Sequence, residues 1–328
     1  MTAVKFALLL SAMLFFSLTA DRASRAANSN LLVGVLVPEY LRSESQVIKG
    51  LKQGLEEAGY KEKKNLFIEM RNAKGNRGAL DPLARELLSR KVAAILTTGT
   101  RATRAALSAS ANIPVVFCHP ADPVALGLVK TMERPGGNAT GVAGLALQAT
   151  HKRVEVLRTI VPGTRRVLIF YDANNPNSQE NFRIAQTAAS KQGLQVSPHP
   201  VKSTDELKVS MSALQVNDGD VLFQVSDDLV DGQAAFIFEE ARKKKLPTIF
   251  NDEMWAINGA MLAYGPSYFE MGHQAAGLVT KISRGEKPAA LPVEQVRKFD
   301  LVINYRAARV IGQDIPRALV KKADRVIW

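Results

Sequence analysis

The residues able to do chemistry are few and scattered. The four histidines, His119, His151, His199 and His273, share no metal-ligand spacing, and the single cysteine, Cys118, sits inside the apolar run IPVVFCHP. HExxH, CxxC, GxSxG and P-loop patterns are all absent, and no GxGxxG follows the first apolar run. The spacings that bring a metal, a nucleophile or a nucleotide phosphate to one point are therefore missing. A thiolate nucleophile needs a partner base, and none stands near Cys118, so this thiol reads as buried and inert. Catalysis has no constellation to rest on. The chain reads as a non-enzyme with no cofactor.

Hydroxyl, amide and carboxylate groups cluster instead at the ends of apolar runs. Leu96-Thr97-Thr98-Gly99-Thr100 leads into a helix, so Thr98, Gly99 and Thr100 stand where free backbone N–H groups attract a carboxylate or another anion. Thr100 serves equally well as a plain N-cap. His119-Pro120-Ala121-Asp122-Pro123 offers Asp122, either as a ligand contact or as a cap with proline at the first helical position. Tyr171-Asp172-Ala173-Asn174-Asn175-Pro176 is a polar turn offering Tyr171, Asn174 and Asn175. Ser226-Asp227-Asp228 and Asn251-Asp252-Glu253 add Asp227 and Asp252. Each of these later loops, taken alone, reads as a helix cap ahead of a ligand contact; convergence on one cleft is what would make them a binding site.

The elements that position these groups alternate between short apolar runs and longer amphipathic ones. LLVGVLV (31–37) is followed by a helix over 45–58, with Val47, Ile48, Leu51 and Leu55 on one face and Gly59 as its stop. NLFIEMR (65–71), a helix opened by Asp81-Pro82, VAAIL (92–96), a helix from Thr100 and IPVVF (113–117) continue the series. The pattern then restarts with RRVLIFYD (165–172), a helix over 178–192 and LQVSPH (194–199). A helix opened by the capping pair Ser203 and Glu206, then DVLFQV (220–225), a helix over 229–245 and LPTIF (246–250) complete it. Nearly continuous apolar strands alternating with helices predict parallel sheets covered on both faces, here two doubly wound α/β lobes. Ligands of such sheets bind beyond the carboxyl ends of the strands, where the polar groups above fall.

Composition agrees with a folded chain of two ordinary domains: 328 residues, 46% hydrophobic and 23% charged. The formal charge of +12 is spread along helices, and its densest cluster, Arg242 to Lys245, lacks interleaved aromatics, so nucleic acid is not an expected partner. The N-terminus carries Lys5, the apolar run FALLLSAMLFFSLTA over 6–20, and small residues at Ser24 and Ala26. That is the order of a secretory signal peptide, residues 1–26, cleaved near Ala26; an uncleaved anchor is the alternative. No cysteine near the cleavage site offers a lipid anchor, and a soluble periplasmic protein is expected.

Several segments together carry a family resemblance: LKQGLEEAGYKEKKNLFIEMRNAKGN, VVFCHPADPVALGLV, RPGGNATGVAGL, MLAYGPSYFEMGHQAAGLVTKISRGEKPAALPVE and LVINYRAARVIGQDIP. The chain resembles the ABC transporter substrate-binding family, whose better-known members take up tryptophan and related aromatic amino acids. The resemblance runs from residue 31 almost to the end. It implies a type I periplasmic-binding fold with lobes joined by a three-segment hinge: lobe one over 31–142 plus 266–288, lobe two over 143–265 plus 289–328. It also implies a monomer that closes on a small solute and docks onto a membrane permease driven by a separate ATPase. The site departs from the family pattern: Ala121 replaces a threonine, Tyr171-Asp172-Ala173 a Tyr-Asn-Pro turn, and Ser226-Asp227-Asp228 a Thr-Asp-Asn. Two added carboxylates favour a ligand bearing an amine or several hydroxyls, unless they pair with Arg42 or Arg101.

The function expected is capture of a small polar or amino-acid-like solute for an importer. A sensory module reporting the same ligand to a membrane receptor would share every site residue.

Overall fold

The computed structural model describes residues 30–38, 45–109, 112–119, 122–144, 149–217 and 219–328. The signal-peptide segment, Arg42 and Ala121 lie outside the described residues.

The chain divides into two compact units, one ending its first pass at Ala143 and taking back Tyr268–Val296, the other formed by Gly144–Ser267 and Arg297–Trp328. In the first, β1 (Leu31–Val37), α1 (Gln46–Glu57), β2 (Leu66–Asn72), α2 (Leu80–Ser89), β3 (Ala94–Thr98), α3 (Gly99–Ala109), β4 (Val115–His119) and β5 (Ala139–Ala143) follow in order. In the second come α4 (Thr150–Ile160), β6 (Arg166–Asp172), α5 (Pro176–Lys191), β7 (Gln195–Val201), α6 (Thr204–Ala213) and β8 (Asp220–Phe223). They are followed by α7 (Asp228–Asp231), α8 (Ala234–Lys243), β9 (Thr248–Phe250), α9 (Glu253–Asn258) and β10 (Leu262–Pro266). The chain then returns α10 (Tyr268–Ser283) and β11 (Glu294–Gln295) to the first unit, and ends in the second with β12 (Phe299–Asn304), α11 (Tyr305–Val310), α12 (Arg317–Val320) and β13 (Arg325–Ile327).

The first sheet runs β11-β5-β4-β3-β1-β2, and all of its pairings are parallel, with registers such as Val33↔Ala94 and Val115↔Ala139. The second runs β13-β12-β10-β9-β8-β6-β7. Its β7-β6-β8-β9-β10 portion is parallel and repeats the order β2-β1-β3-β4-β5 of the first; β12 then adds antiparallel to β10. One architecture is used twice, with different strands appended. Residues 289–296, expected with the second lobe, belong to the first: Glu294 pairs with Val142 and Gln295 with Ala143, so the third passage between units falls after Val296.

Both sheets are buried as the apolar runs require. Val33, Val35, Leu36, Ile95, Leu96, Val115 and Val116 are fully enclosed in the first, and Val167, Ile169, Val221 and Ile249 form the core of the second. Pro198 and Pro200 fall in β7, at the edge of the second sheet, where the missing N–H groups cost no ladder bonds. In the first unit α1 and α10 approach so closely that a Cβ on Gly272 would meet the Val47 carbonyl at 2.0 Å, and one on Gly50 the Phe269 carbonyl at 1.9 Å. Only glycine fits at that crossing.

Three helix expectations change. The helix expected over 229–245 is two, α7 and α8, interrupted at Gly232-Gln233. The helix at Asp81-Pro82 begins earlier, at Leu80 after a 3-10 turn, and Asp81 lies in its first turn without capping it. The segment after Asp122 is a turn and not a helix.

Candidate functional site

Each unit presents its polar groups at the carboxyl ends of its strands, and each set can be built from local chemistry. In the first unit β3 passes directly into α3 at Gly99, whose φ of 79° lies in the left-handed region where a side chain is strained. Beneath the turn, Thr103 donates its hydroxyl to the Gly99 carbonyl at 2.9 Å. A hydroxyl has one proton, so the 2.8 Å contact between Thr97 and Thr103 has Thr97 as donor. Buried hydroxyls thus hold the helix start, while Thr98, Gly99 and Thr100 remain half-buried above them. Beside it, after β4, the exposed Asp122 accepts from the amides of Val124 at 2.8 Å and Ala125 at 3.2 Å. The guanidinium of Arg104 on α3 donates to the Leu126 carbonyl at 2.9 Å and fastens this turn to the helix.

In the second unit three loops are laced together. Asp227 is buried, caps α7 by accepting from Leu229 and Val230 at 2.9 and 3.0 Å, and takes the Asp172 amide on its other oxygen at 2.6 Å. Asn181 donates to the Ser226 carbonyl, and Asn251 to the Ser226 hydroxyl, each at 2.7 Å. The ends of β6, β8 and β9 therefore form one hydrogen-bonded surface. Asn175 caps α5 through the Asn177 amide at 3.0 Å, and Asp252 caps α9 through the Met254 amide at 2.7 Å. Asn174 is exposed. Tyr171 is turned elsewhere: its ring stacks on Phe182 with centroids 4.4 Å apart, against the core of the unit.

Of the two added carboxylates, Asp172 accepts from the Asn174 amide at 2.8 Å and Asp228 is exposed in the first turn of α7, while the charge of Asp227 beside it is met by three backbone amides. Glu253, next to Asp252, is buried and pairs with Arg325 at 3.1 Å; burial raises its carboxyl to about 7, Asp252 adding to the rise and Arg325 opposing it.

One group of residues carried no motif. Arg153, on the inner face of α4, is 2% exposed, lies 4.4 Å over the Phe223 ring and donates to the Gln224 carbonyl at 2.6 Å. The Gln224 amide in turn donates to Asp231 at 2.8 Å. Among the described residues, Arg153 Nε and Gln224 Oε1 have no hydrogen-bond partner. Desolvation dominates both ends of this chain of contacts, pushing the Asp231 carboxyl up to about 8 and the Arg153 guanidinium down to about 9. The signal available in sequence was a charge at the core position of THKRVEVL, three residues after Thr150 and one before Val154, both buried.

Metal chemistry finds no support: among the described residues no three His, Cys, Asp or Glu side chains gather around a point that could hold an ion. Cys118 is buried, with its thiol pushed up to about 12 by desolvation and its Sγ 3.5 Å from the Met271 carbonyl.

Two α/β units of identical core order, each carrying polar groups at its strand ends, are the type I periplasmic-binding fold, whose solute-binding class the family match identifies. Residues 33–327 match the family described as ABC transporter substrate binding protein, and the chain belongs to that family. It is similar to the tyrosine-binding protein of Clostridioides difficile (strain R20291), 27% identical over 256 residues, which cover 78% of this chain and 73% of that one. A crystal structure of an ABC domain in complex with L-Trp from Streptococcus pneumonia superposes with a TM-score of 0.71 at 25% identity, covering 91% of this chain and 100% of that one. A conserved domain protein from Vibrio cholerae superposes with a TM-score of 0.72 at 27% identity and the same coverage.

Proposed function

We propose that this protein captures an amino-acid-like solute outside the cytoplasm and delivers it to a membrane permease worked by a separate ATPase. The observation that carries the reading is what each unit offers at its own strand ends. One unit offers a helix start with half-buried Thr98, Gly99 and Thr100, suited to a carboxylate. The other offers a rigid acidic surface with Asp252, Asn174 and Asn175, suited to an ammonium group or hydroxyls. A zwitterion has both ends. Asp122, Tyr171 and Asp227 hold the strand-end loops of their own units through engaged polar atoms or rings, and Asn175 and Asp252 also cap helices there. The tyrosine-binding relative and the neighbour solved with L-Trp support an amino acid as the ligand class. Export is supported by the signal-like sequence of residues 1–26, and no helix among the described residues is long and apolar enough to cross a membrane.

Native mass spectrometry of protein purified without refolding, followed by calorimetry against the amino acids and a set of sugars, tests the reading. Saturable one-to-one binding of an amino acid is expected. Sugar binding with no response to any amino acid would refute the ligand class.

A further inference from the structure

The second unit has a concavity at the opposite ends of its strands from the loops described above. Its volume is about 430 Å³, within the range of sites for small ligands. The floor is apolar: Leu246, just before β9, and Met261, just before β10, are each about 1% exposed. Phe238 of α8 and Val310 of α11 form walls, and Trp328 closes one side, its ring 5.2 Å from that of Tyr305.

Two features separate this hollow from ordinary surface. Of the six large hydrophobic residues exposed among the described residues, three border it: Trp328 at 76%, Val310 at 53% and Ile257 at 39%. Apolar surface concentrated around a cavity marks a place where something binds. The rim is also cationic. Arg242 and Arg306 line the hollow, both are exposed, and neither makes an ion pair among the described residues. The acidic residue of the lining, Glu239, is engaged by Lys243 at 2.8 Å. An apolar interior with two guanidinium groups at its edge, Arg306 and an Arg242 that also acts on the Glu239 carboxylate, matches a ligand with an apolar body and an anionic head, since a guanidinium binds a carboxylate or sulfonate through paired N–H groups.

We propose that this cavity is a second binding site, separate from the strand-end loops, which takes a small amphipathic anion with its apolar body on Leu246, Met261 and Trp328 and its head on Arg242 and Arg306. Such a molecule arrives either free in solution or as part of a bilayer, and a concave site of this size suits one molecule at a time.

The chain has two tryptophans. Trp255 packs against Phe238 and Phe250 within the core, and Trp328 is exposed, so emission reports on the site directly. The full-length mature protein is titrated with dodecanoate below its micellar concentration and, separately, with dodecyltrimethylammonium. Dodecanoate should shift the emission to the blue with one-to-one saturation, and the ammonium compound should bind at least ten-fold more weakly. Trp328→Phe should abolish the shift while calorimetric stoichiometry persists. Arg242→Ala with Arg306→Ala should weaken dodecanoate ten-fold or more with an unchanged melting temperature, as both side chains are exposed. Equal binding of the two amphiphiles, or full affinity in the double arginine variant, would overturn the site. So would a response confined to phosphatidylglycerol vesicles with none to free dodecanoate, which would make the face a bilayer contact. Amino-acid binding at the strand-end loops is measured on the same variants and should be unaffected, so either site can fail without the other.

Discussion

Asp227 accepts the backbone amide of Asp172 at 2.6 Å, joining the loop after β8 to the end of β6 across 55 residues of sequence. The same carboxylate caps α7 through the Leu229 and Val230 amides. One buried side chain thus sets the relative position of two loops and starts a helix.

Asp227→Ala should therefore act on stability before it acts on binding. Loss of an N-cap costs about 0.5–2 kcal/mol, and stranding a partly buried amide adds about 1–3 kcal/mol. A melting temperature lowered by several degrees is expected, with the folded fraction binding solute nearly as tightly as the parent. An unchanged melt with a large loss of affinity would instead place Asp227 against the ligand.

Thr100→Val should show the reverse balance. Removing a hydroxyl that meets a ligand carboxylate costs about 1.5–3 kcal/mol, a loss of roughly ten-fold or more in affinity. Calorimetry with the amino acid that native mass spectrometry finds bound, alongside a thermal melt, checks this. An early melt with normal affinity would make Thr100 a helix cap only.

The contribution of Asp231 and Glu253 to stability should fall as pH rises from about 4 to about 8, against an opposite one from His199, whose imidazole burial holds below its usual value. The carboxyls of Asp231 and Glu253 are raised to about 8 and about 7 in the folded protein, chiefly by burial. The unfolded chain gives up these protons near pH 4 while the folded one keeps them, so the favourable difference present at low pH is lost as pH climbs through each folded value. Each group contributes a slope of at most about 1.4 kcal/mol per pH unit. Urea unfolding between pH 5 and 8.5 should reveal the trend, and Asp231→Asn should flatten it. A slope unchanged in that variant would mean that Asp231 is ionised throughout.

Gly272→Ala should be among the most damaging single-methyl changes in the first unit, because the new Cβ would meet the Val47 carbonyl at 2.0 Å. Overpacking of this kind costs about 1–3 kcal/mol. Gly277→Ala on the same helix has open space around it and should be neutral or stabilising by up to about 1 kcal/mol. Chemical denaturation of the two variants makes the comparison.

Cys118 should be inert to a thiol reagent at pH 8 in the native protein and react promptly in denaturant. Its thiol is held near 12 by complete burial, so almost no thiolate is present. Rapid native labelling would require local opening of the β4 region.

Much of the fold was legible because its signals are local. Apolar runs alternating with amphipathic stretches specify parallel strands and covering helices, since burial on both faces leaves no other arrangement for such runs. The cap at Ser203 acts within three residues of its target, and with Glu206 in place the local sequence suffices to show it. What only the tertiary structure decided depends on groups far apart in the chain. A side-chain oxygen at a helix start looks the same whether its partner is its own helix, a distant amide or a ligand; Asp227 is distinguished by the approach of Asp172, and Tyr171 by Phe182. Residues 289–296 joined the first sheet because β5 had an open edge for Glu294 and Gln295 to pair with. Arg153 is tolerated at a core position because Phe223 lies beneath it and the Gln224 carbonyl accepts from it. Hydrophobic periodicity determines which faces must be buried; which charged groups are carried inside with them is determined by the long-range contacts that closure of each sheet brings together.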